Sequence, residues 1–385
     1  MIAKSSCLKN RGNTFDVLII GGGLAGLSAA IHLQKKDVNV VLIEKNSYPR
    51  HKVCGEYISN EVLPYLSYLG VDVFKLGAKK ITRFELSSIK SKLLAADLPL
   101  GGFGISRYTL DEALFLEAKA VGVHVIQDTV VEVRFSGELF TITTKDHGSF
   151  HAQLTIGAYG KRTNLDVKLN REFIKNKSPY LAVKTHVNGD FPEDVVALHN
   201  FEGGYCGVSK VEDDSINLCY ITNLEAFKKF KDIEEFQQRV VFKNTYLKSI
   251  FENSTPVFDA PLSISQISFD RKSPVVQHML MCGDSAGMIH PLCGNGMSMA
   301  IRSAQIASEL ILDYFDNGIT RSSLEIAYTK AWNQQFKNRL KVGHLVAKVF
   351  DHPNVSETAL SALKMMPFLM PFIIQQTHGK RMQIQ

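Results

Sequence analysis

The stretch Asp16-Val17-Leu18-Ile19-Ile20-Gly21-Gly22-Gly23-Leu24-Ala25-Gly26 decides the fold class. Its first five residues form an apolar run that stops at glycine, the pattern of a parallel strand buried on both faces. Gly21, Gly23 and Gly26 satisfy G-x-G-x-x-G, and Leu27 to Gln34 continue at helical spacing without a breaker. In such a turn the first glycine permits the bend, the second lets the backbone approach a pyrophosphate, and the third lets helix pack on strand. The helix N-terminus then turns free N–H groups and a positive dipole end towards the phosphates. A second apolar run, Val38 to Ile43, ends at Glu44, close to the ~20-residue offset of the carboxylate that accepts the ribose hydroxyls. Gly21, Gly23, Ala25, Gly26 and Glu44 are therefore candidate dinucleotide contacts. Although Val17 to Gln34 carries no charge, strand, turn and helix explain it better than a membrane span.

A second strand running into glycine and an acid occurs far along the chain. Met279 to Cys282 lead into Gly283-Asp284-Ser285-Ala286-Gly287, followed by His290-Pro291-Leu292-Cys293-Gly294-Asn295-Gly296-Met297. Asp284 at a strand end suits a polyol hydroxyl, and the small residues up to Met297 let backbone amides approach a flat ring. Ser298 to Tyr314 read as a helix whose N-terminus faces the same place.

The pairing of GGGLAG…E with a late GDSAG…P…GNGM resembles the FAD-dependent oxidoreductases of the para-hydroxybenzoate hydroxylase type. The resemblance implies that Gly283 and Asp284 serve the ribityl chain of FAD, and that Pro291, Gly294, Gly296 and Met297 line the isoalloxazine. Arg50-His51-Lys52-Val53-Cys54-Gly55-Glu56 is similar to the R-x-K-x-C-G-E element of the geranylgeranyl reductase family, which implies cofactor contacts at Arg50, Lys52 and Cys54. Arg107, in Arg107-Tyr108-Thr109-Leu110-Asp111, resembles the family's R-x-x-L-D element, whose arginine approaches the phosphates or ribityl chain. Val130 occupies the strand position whose backbone meets adenine in such proteins.

Three departures stand out. Tyr159, in Gly157-Ala158-Tyr159-Gly160, replaces the family's usual acid, Cys293 sits where small or hydroxylic residues are commoner, and the stretch Gly203 to Ser209 is sparse in aromatics. The expected fold is α/β: a Rossmann-like FAD-binding domain with a parallel sheet, residues 14–80, 101–168 and 271–345, interleaved with an antiparallel-sheet α+β substrate domain. The latter takes 81–100 and 169–270, where Tyr180 to Asn223 reads as strands and turns and 224–251 as helices, with a strand near 262–269. Residues 346–385 form a helical C-terminus. Its apolar run from Met365 to Ile374, too short to span a bilayer, suits either core packing or a greasy rim for a lipid substrate or a membrane surface.

Composition narrows the classes further. The 385 residues are 45% hydrophobic and 21% charged, with net charge +6 and no long basic run, so nucleic acid is not implied. Six scattered cysteines without a C-x-x-C pair give neither a zinc site nor a disulfide framework. With a polar start from Met1 to Phe15 and no signal-peptide pattern, the expected location is cytoplasmic, with peripheral membrane contact through the apolar tail.

FAD would carry the redox chemistry, and the single dinucleotide fingerprint implies that NAD(P)H, as electron donor, docks only transiently. Two reaction classes compete. Resemblance to geranylgeranyl reductase implies hydride delivery to a carbon–carbon double bond of an isoprenoid or lipid-like substrate. The alternative is a monooxygenase in which reduced flavin and dioxygen hydroxylate an aromatic or polyketide-type molecule. The halogenase W-x-W-x-x-P segment is missing, since the lone tryptophan is Trp332. A non-catalytic flavin-binding protein would keep the FAD motifs without a substrate cavity. No catalytic residue is assigned: Cys54, His51 and His290 are each as compatible with packing beside the flavin as with proton transfer.

Overall fold

The computed structural model describes residues 12–350, 353–366 and 368–384. Cys7, one of the six cysteines, and Pro367, within the C-terminal apolar run, lie outside the described residues. Strand β1 (Thr14–Ile20), helix α1 (Leu24–Gln34) and strand β2 (Val40–Glu44) follow one another as the glycine run implies. Next come β3 (Tyr57–Ser59), α2 (Leu63–Leu69), the hairpin of β4 (Lys79–Ser87) and β5 (Leu93–Gly104), and α3 (Arg107–Ala120). Strand β6 (His124–Gln127) precedes the meander β7 (Val130–Ser136), β8 (Leu139–Thr144) and β9 (Ser149–Gly157). After α4 (Asn164–Lys168) the chain forms β10 (Tyr180–Asn188), β11 (Val195–Phe201), β12 (Gly204–Lys210) and β13 (Ile216–Asn223). Helices α5 (Leu224–Phe227), α6 (Ile233–Arg239) and α7 (Thr245–Glu252) lead to β14 (Thr255–Pro256), β15 (Leu262–Ser265), β16 (Val275–Val276) and β17 (Met279–Met281). The chain closes with α8 (Gly296–Asn317), α9 (Arg321–Phe350), α10 (Pro353–Met365) and α11 (Leu369–Thr377).

These strands sort into two sheets. The first has the order β16-β17-β9-β1-β2-β6, with β1 parallel to β2 and β9, and the β7–β8 pair attached at β9. Val17 to Ile20 sit at its centre with at most 3% exposure, which is why the run contains no polar residue. Helices α1 and α8 lie side by side, with α3 against α1. The second sheet has the order β14-β10-β13-β12-β11-β4-β5-β3, with β15 beside β10.

In the second sheet the residues alternate between two apolar clusters. Val183, Val208, Leu218 and Tyr220 face the layer of Phe236 and Leu247 on α6 and α7, whereas Ala182, Leu198, Tyr205 and Ile221 face Leu292, Leu360 and Met370 on the other side. The sheet is antiparallel, as expected, except that β4 and β11 pair in parallel. The chain leaves after β5 to build β6 to β9 and returns for β10 and β11, and such a long crossover is free of the antiparallel constraint that a hairpin imposes. The expected division at 80/81 and 100/101 also differs from the pairing: β3 and Gly102 to Gly104 at the end of β5 pair with each other in the second sheet. The strand expected near 262–269 stops at Ser265, since Gln266 takes a left-handed φ of 61°.

Candidate active site

A cavity of about 1160 Å³ lies where the two sheets and the C-terminal helices meet. Gly23, Ala25, Glu44, Arg50, Lys52, Cys54, Arg107, Gly283, Asp284, Pro291, Gly294, Gly296 and Met297 all line it. Gly21 and Gly26 stand behind that wall, and Val130, at the start of β7, is not part of it.

The glycines have different jobs. Gly21 adopts φ 103°, and a Cβ there would lie 2.5 Å from the Ala158 carbonyl oxygen. A Cβ on Gly26 would strike the Gly21 carbonyl, so this glycine lets α1 close onto β1. At Gly23, by contrast, a Cβ would meet only Arg107 Nη2 at 3.8 Å, and at Gly296 only Ile289 Cγ2 at 3.9 Å. Packing does not require either one. Both stand at helix N-termini, of α1 and α8, that lack a side-chain cap. Bare backbone with the positive ends of two helix dipoles therefore faces the cavity.

Charge is concentrated at the same end. Arg107 grips the fully buried Asp111 with Nε at 2.7 Å and Nη2 at 2.8 Å, and Lys52 Nζ adds a third contact at 2.6 Å. Burial works to raise the Asp111 carboxyl, but Arg107 and Lys52 hold it below the usual carboxylate range. Arg50, Lys52 and Arg107 line the wall together with Lys45, Lys161 and Arg162, against the acids Glu44, Glu56 and Asp284, a cationic surplus suited to a pyrophosphate. The Glu44 carboxylate accepts from Gly22 N at 2.7 Å and Asn46 N at 3.0 Å, which fixes it at the rim.

The second motif is braced from below. Lys272 Nζ donates to the carbonyl oxygens of Asp284 at 2.7 Å and Lys161 at 2.8 Å, and burial lowers this lysine to about 8. Burial raises the Asp284 carboxyl, opposed by Lys272, Arg107 and Lys161. Tyr159, standing where the resemblance expects an acid, has its hydroxyl pushed up by burial and then by Asp166. Asp166 holds Arg171 at 2.8 Å, and Arg171 Nη2 donates to the Ser285 carbonyl at 2.8 Å.

Glu56 closes the R-x-K-x-C-G-E element, yet sequence reasoning gave it no role. Fully buried on a left-handed backbone with φ 54°, it lines the cavity and accepts from Arg107 N at 2.7 Å and from Lys184 Nζ. Its other oxygen lies 2.7 Å from His186 Nε2. Burial would raise this carboxyl, but His186 and Lys184 hold it below the ordinary value. The available signal was Lys184 and His186, two residues apart on one face of a largely buried strand.

The remaining candidates are packed. Cys54 Sγ lies 3.5 Å from Met297 Sδ, and burial raises its thiol, so it is not a ready thiolate. Cys293 is pushed up to about 12 by burial. His290 sits among Phe269, Tyr205 and Tyr180, with ring centroids 4.6, 5.9 and 6.3 Å away, and burial lowers it to about 4. It is a neutral packing group behind the wall.

The far half of the cavity is apolar. Leu86 and Leu198 from the second sheet face Val346 and Phe350 of α9, Leu363 of α10 and Ile374 of α11. The tail thus packs on the second sheet and lines the cavity at once. Among the described residues no helix is long and apolar enough to cross a membrane.

For FAD the residues present fit: open backbone at two helix N-termini, a cationic surplus between them and an acid at each strand end. A family model described as FAD dependent oxidoreductase matches residues 16–54. Over 385 aligned positions the chain is 23% identical to "Conditioned medium factor receptor 1" of Dictyostelium discoideum, covering 91% of this chain and 74% of that one. It is 23% identical over 352 positions to "Digeranylgeranylglycerophospholipid reductase" of Methanosarcina acetivorans, covering 87% and 84%. Among solved structures, the flavin-dependent brominase Bmp2 superposes with a TM-score of 0.79 at 20% identity, covering 94% of this chain and 93% of that one. Residues 16–54 thus match the FAD-dependent oxidoreductase family, and the chain as a whole has distant geranylgeranyl reductase-like relatives and shares the fold of a flavin-dependent brominase.

Proposed function

We propose that the protein reduces a carbon–carbon double bond in a hydrophobic, isoprenoid- or lipid-like substrate, with NAD(P)H as the electron donor. The observation that carries this reading is the single continuous cavity, glycine-lined and cationic at one end and walled by aliphatic side chains at the other. FAD supplies hydride chemistry when bound. Arg50, Lys52 and Arg107 balance the dinucleotide's phosphates, and Gly23 and Gly296 let it approach the backbone. The apolar wall excludes water and holds a long chain by burial alone, without demanding polar groups on it. Reduction also consumes a proton, and Glu56 on the wall, backed by the buried Lys184 and His186, forms an ionisable cluster that can hold one, on Nζ or Nε2. With no second dinucleotide fingerprint in the sequence, NAD(P)H would dock transiently.

The test is to mix the FAD-loaded protein with NADPH under anaerobic conditions and then add digeranylgeranylglycerophospholipid in detergent micelles. The expected result is bleaching of the flavin spectrum by NADPH, its return on adding lipid, and a lipid product heavier by two hydrogens per reduced bond. If only dioxygen restores the spectrum, through a transient species, and an aromatic probe is hydroxylated, the monooxygenase reading replaces this one.

A further inference from the structure

The apolar tail does more than line a wall. Leu345 on α9 and Phe372 on α11 both border the cavity, yet are 64% and 61% exposed. Beside them Met365 is 84% and Phe368 72% exposed, with Met366 also open to solvent. Isolated exposed apolar residues are ordinary, but five gathered at a cavity mouth form a patch of the kind that marks a docking surface.

The charge around the patch identifies what it meets. From Asn333 to Gln385 the chain carries seven Lys or Arg and two acids, so this segment holds five of the chain's six net positive charges. Lys337, Lys341, Leu345 and Lys348 are all exposed at helical spacing, which puts them on one face of α9, and Lys364 stands next to Met365. Among the described residues none of these four lysines is in a salt bridge. Apolar side chains flanked by unpaired lysines match an anionic lipid interface: hydrocarbon takes the Phe and Met side chains while headgroup phosphates take the ammonium groups. A second copy of this chain would bring its own lysines against these and meet like charge.

We propose that the end of α9, together with α10 and α11, is a membrane-seating face that holds the cavity mouth against an anionic lipid surface. An apolar chain then passes from the leaflet between Leu345 and Phe372 into the cavity without crossing water. The route rests on the reading of the substrate as lipid-like; the seating does not.

Co-sedimentation of the FAD-loaded protein with vesicles tests it, using phosphatidylcholine alone and phosphatidylcholine mixed with phosphatidylglycerol. Binding is expected to the anionic vesicles, to weaken with added salt and to fall about tenfold or more in Met365→Asp/Phe368→Asp, whose side chains do not line the cavity. Lys341→Glu/Lys364→Glu should weaken binding as well, with flavin content and thermal midpoint unchanged in both variants. The proposal is overturned by absence of binding to anionic vesicles, or by binding indifferent to these substitutions. It is also overturned by a dimer in sedimentation velocity that Met365→Asp/Phe368→Asp dissolves, since a second copy would then cover the face. Vesicle binding without lipid reduction would retain the seating face and remove the proposed reaction.

Discussion

The two ends of the cavity are held in shape by opposite means. At the end proposed for the flavin, backbone and charge do it: open helix N-termini at Gly23 and Gly296, and Asp111 locked between Arg107 and Lys52. At the far end, aliphatic side chains from the second sheet and from α9 to α11 do it by packing alone. Hydrogen-bonded charge fixes position to within a bond length and suits one cofactor, whereas apolar packing tolerates changes of shape and suits a family of hydrophobic chains. The first end should therefore respond to mutation by losing flavin, and the second by changing what it accepts.

The largest expected effects separate ligand space from packing space within one turn. Gly23→Val should leave a folded protein, because its new atoms enter the cavity beside Arg107, but should abolish FAD binding. Gly26→Val should fail to fold, because its Cβ collides with the Gly21 carbonyl. Flavin absorbance per mole of protein and far-UV circular dichroism on both variants decide this. A yellow Gly23→Val protein would remove the assignment of that end to FAD.

Next in size is the seam between the ends. Glu56→Ala would strand Lys184, which has no exposure to solvent, and losing one partner of a buried pair costs about 3–5 kcal/mol. Urea unfolding should show that loss, and Glu56→Ala/Lys184→Met should recover much of it. If the double variant is no more stable than the single one, the pair is not the coupling that joins β10 to the flavin end.

This seam also marks the limit of what the sequence made legible. Gly21 to Glu44 and Gly283 to Met297 are local patterns in which each residue's job follows from backbone geometry a few positions away, so the turn, the helix and their place on the cavity were readable. Glu56 and Lys184 are 128 positions apart, and their pairing depends on how β10 lies over the cavity. An acid beside a C-G pair and a lysine in a distant strand carry no mutual sign. The parallel β4–β11 pairing was hidden for the same reason, since it follows from the chain's return after β9 rather than from either strand's composition. Asp166 and Arg171, bracing Ser285 where an acid was expected at Tyr159, belong to this group too.

The smallest expected effect probes the apolar end through pH. Burial holds His290 neutral down to about 4, while in the unfolded chain it protonates near 6.5. Between those values the unfolded state binds the extra proton, so stability falls as pH drops from 6.5 towards 4, at up to about 1.4 kcal/mol per pH unit for this one group. His32 and His199, also lowered to about 4 by burial, add slopes of the same sign. The His290 ring lies among three aromatic rings, and its Nδ1 has no hydrogen-bond partner, so phenylalanine can take its place without stranding a donor. Urea midpoints of His290→Phe measured from pH 7 to pH 4.5 should therefore decline less steeply than those of the parent, by about one proton's worth. An unchanged slope would mean that His290 is charged within its aromatic cage, and the packing role assigned to it at the apolar end would give way to the proton-donating one.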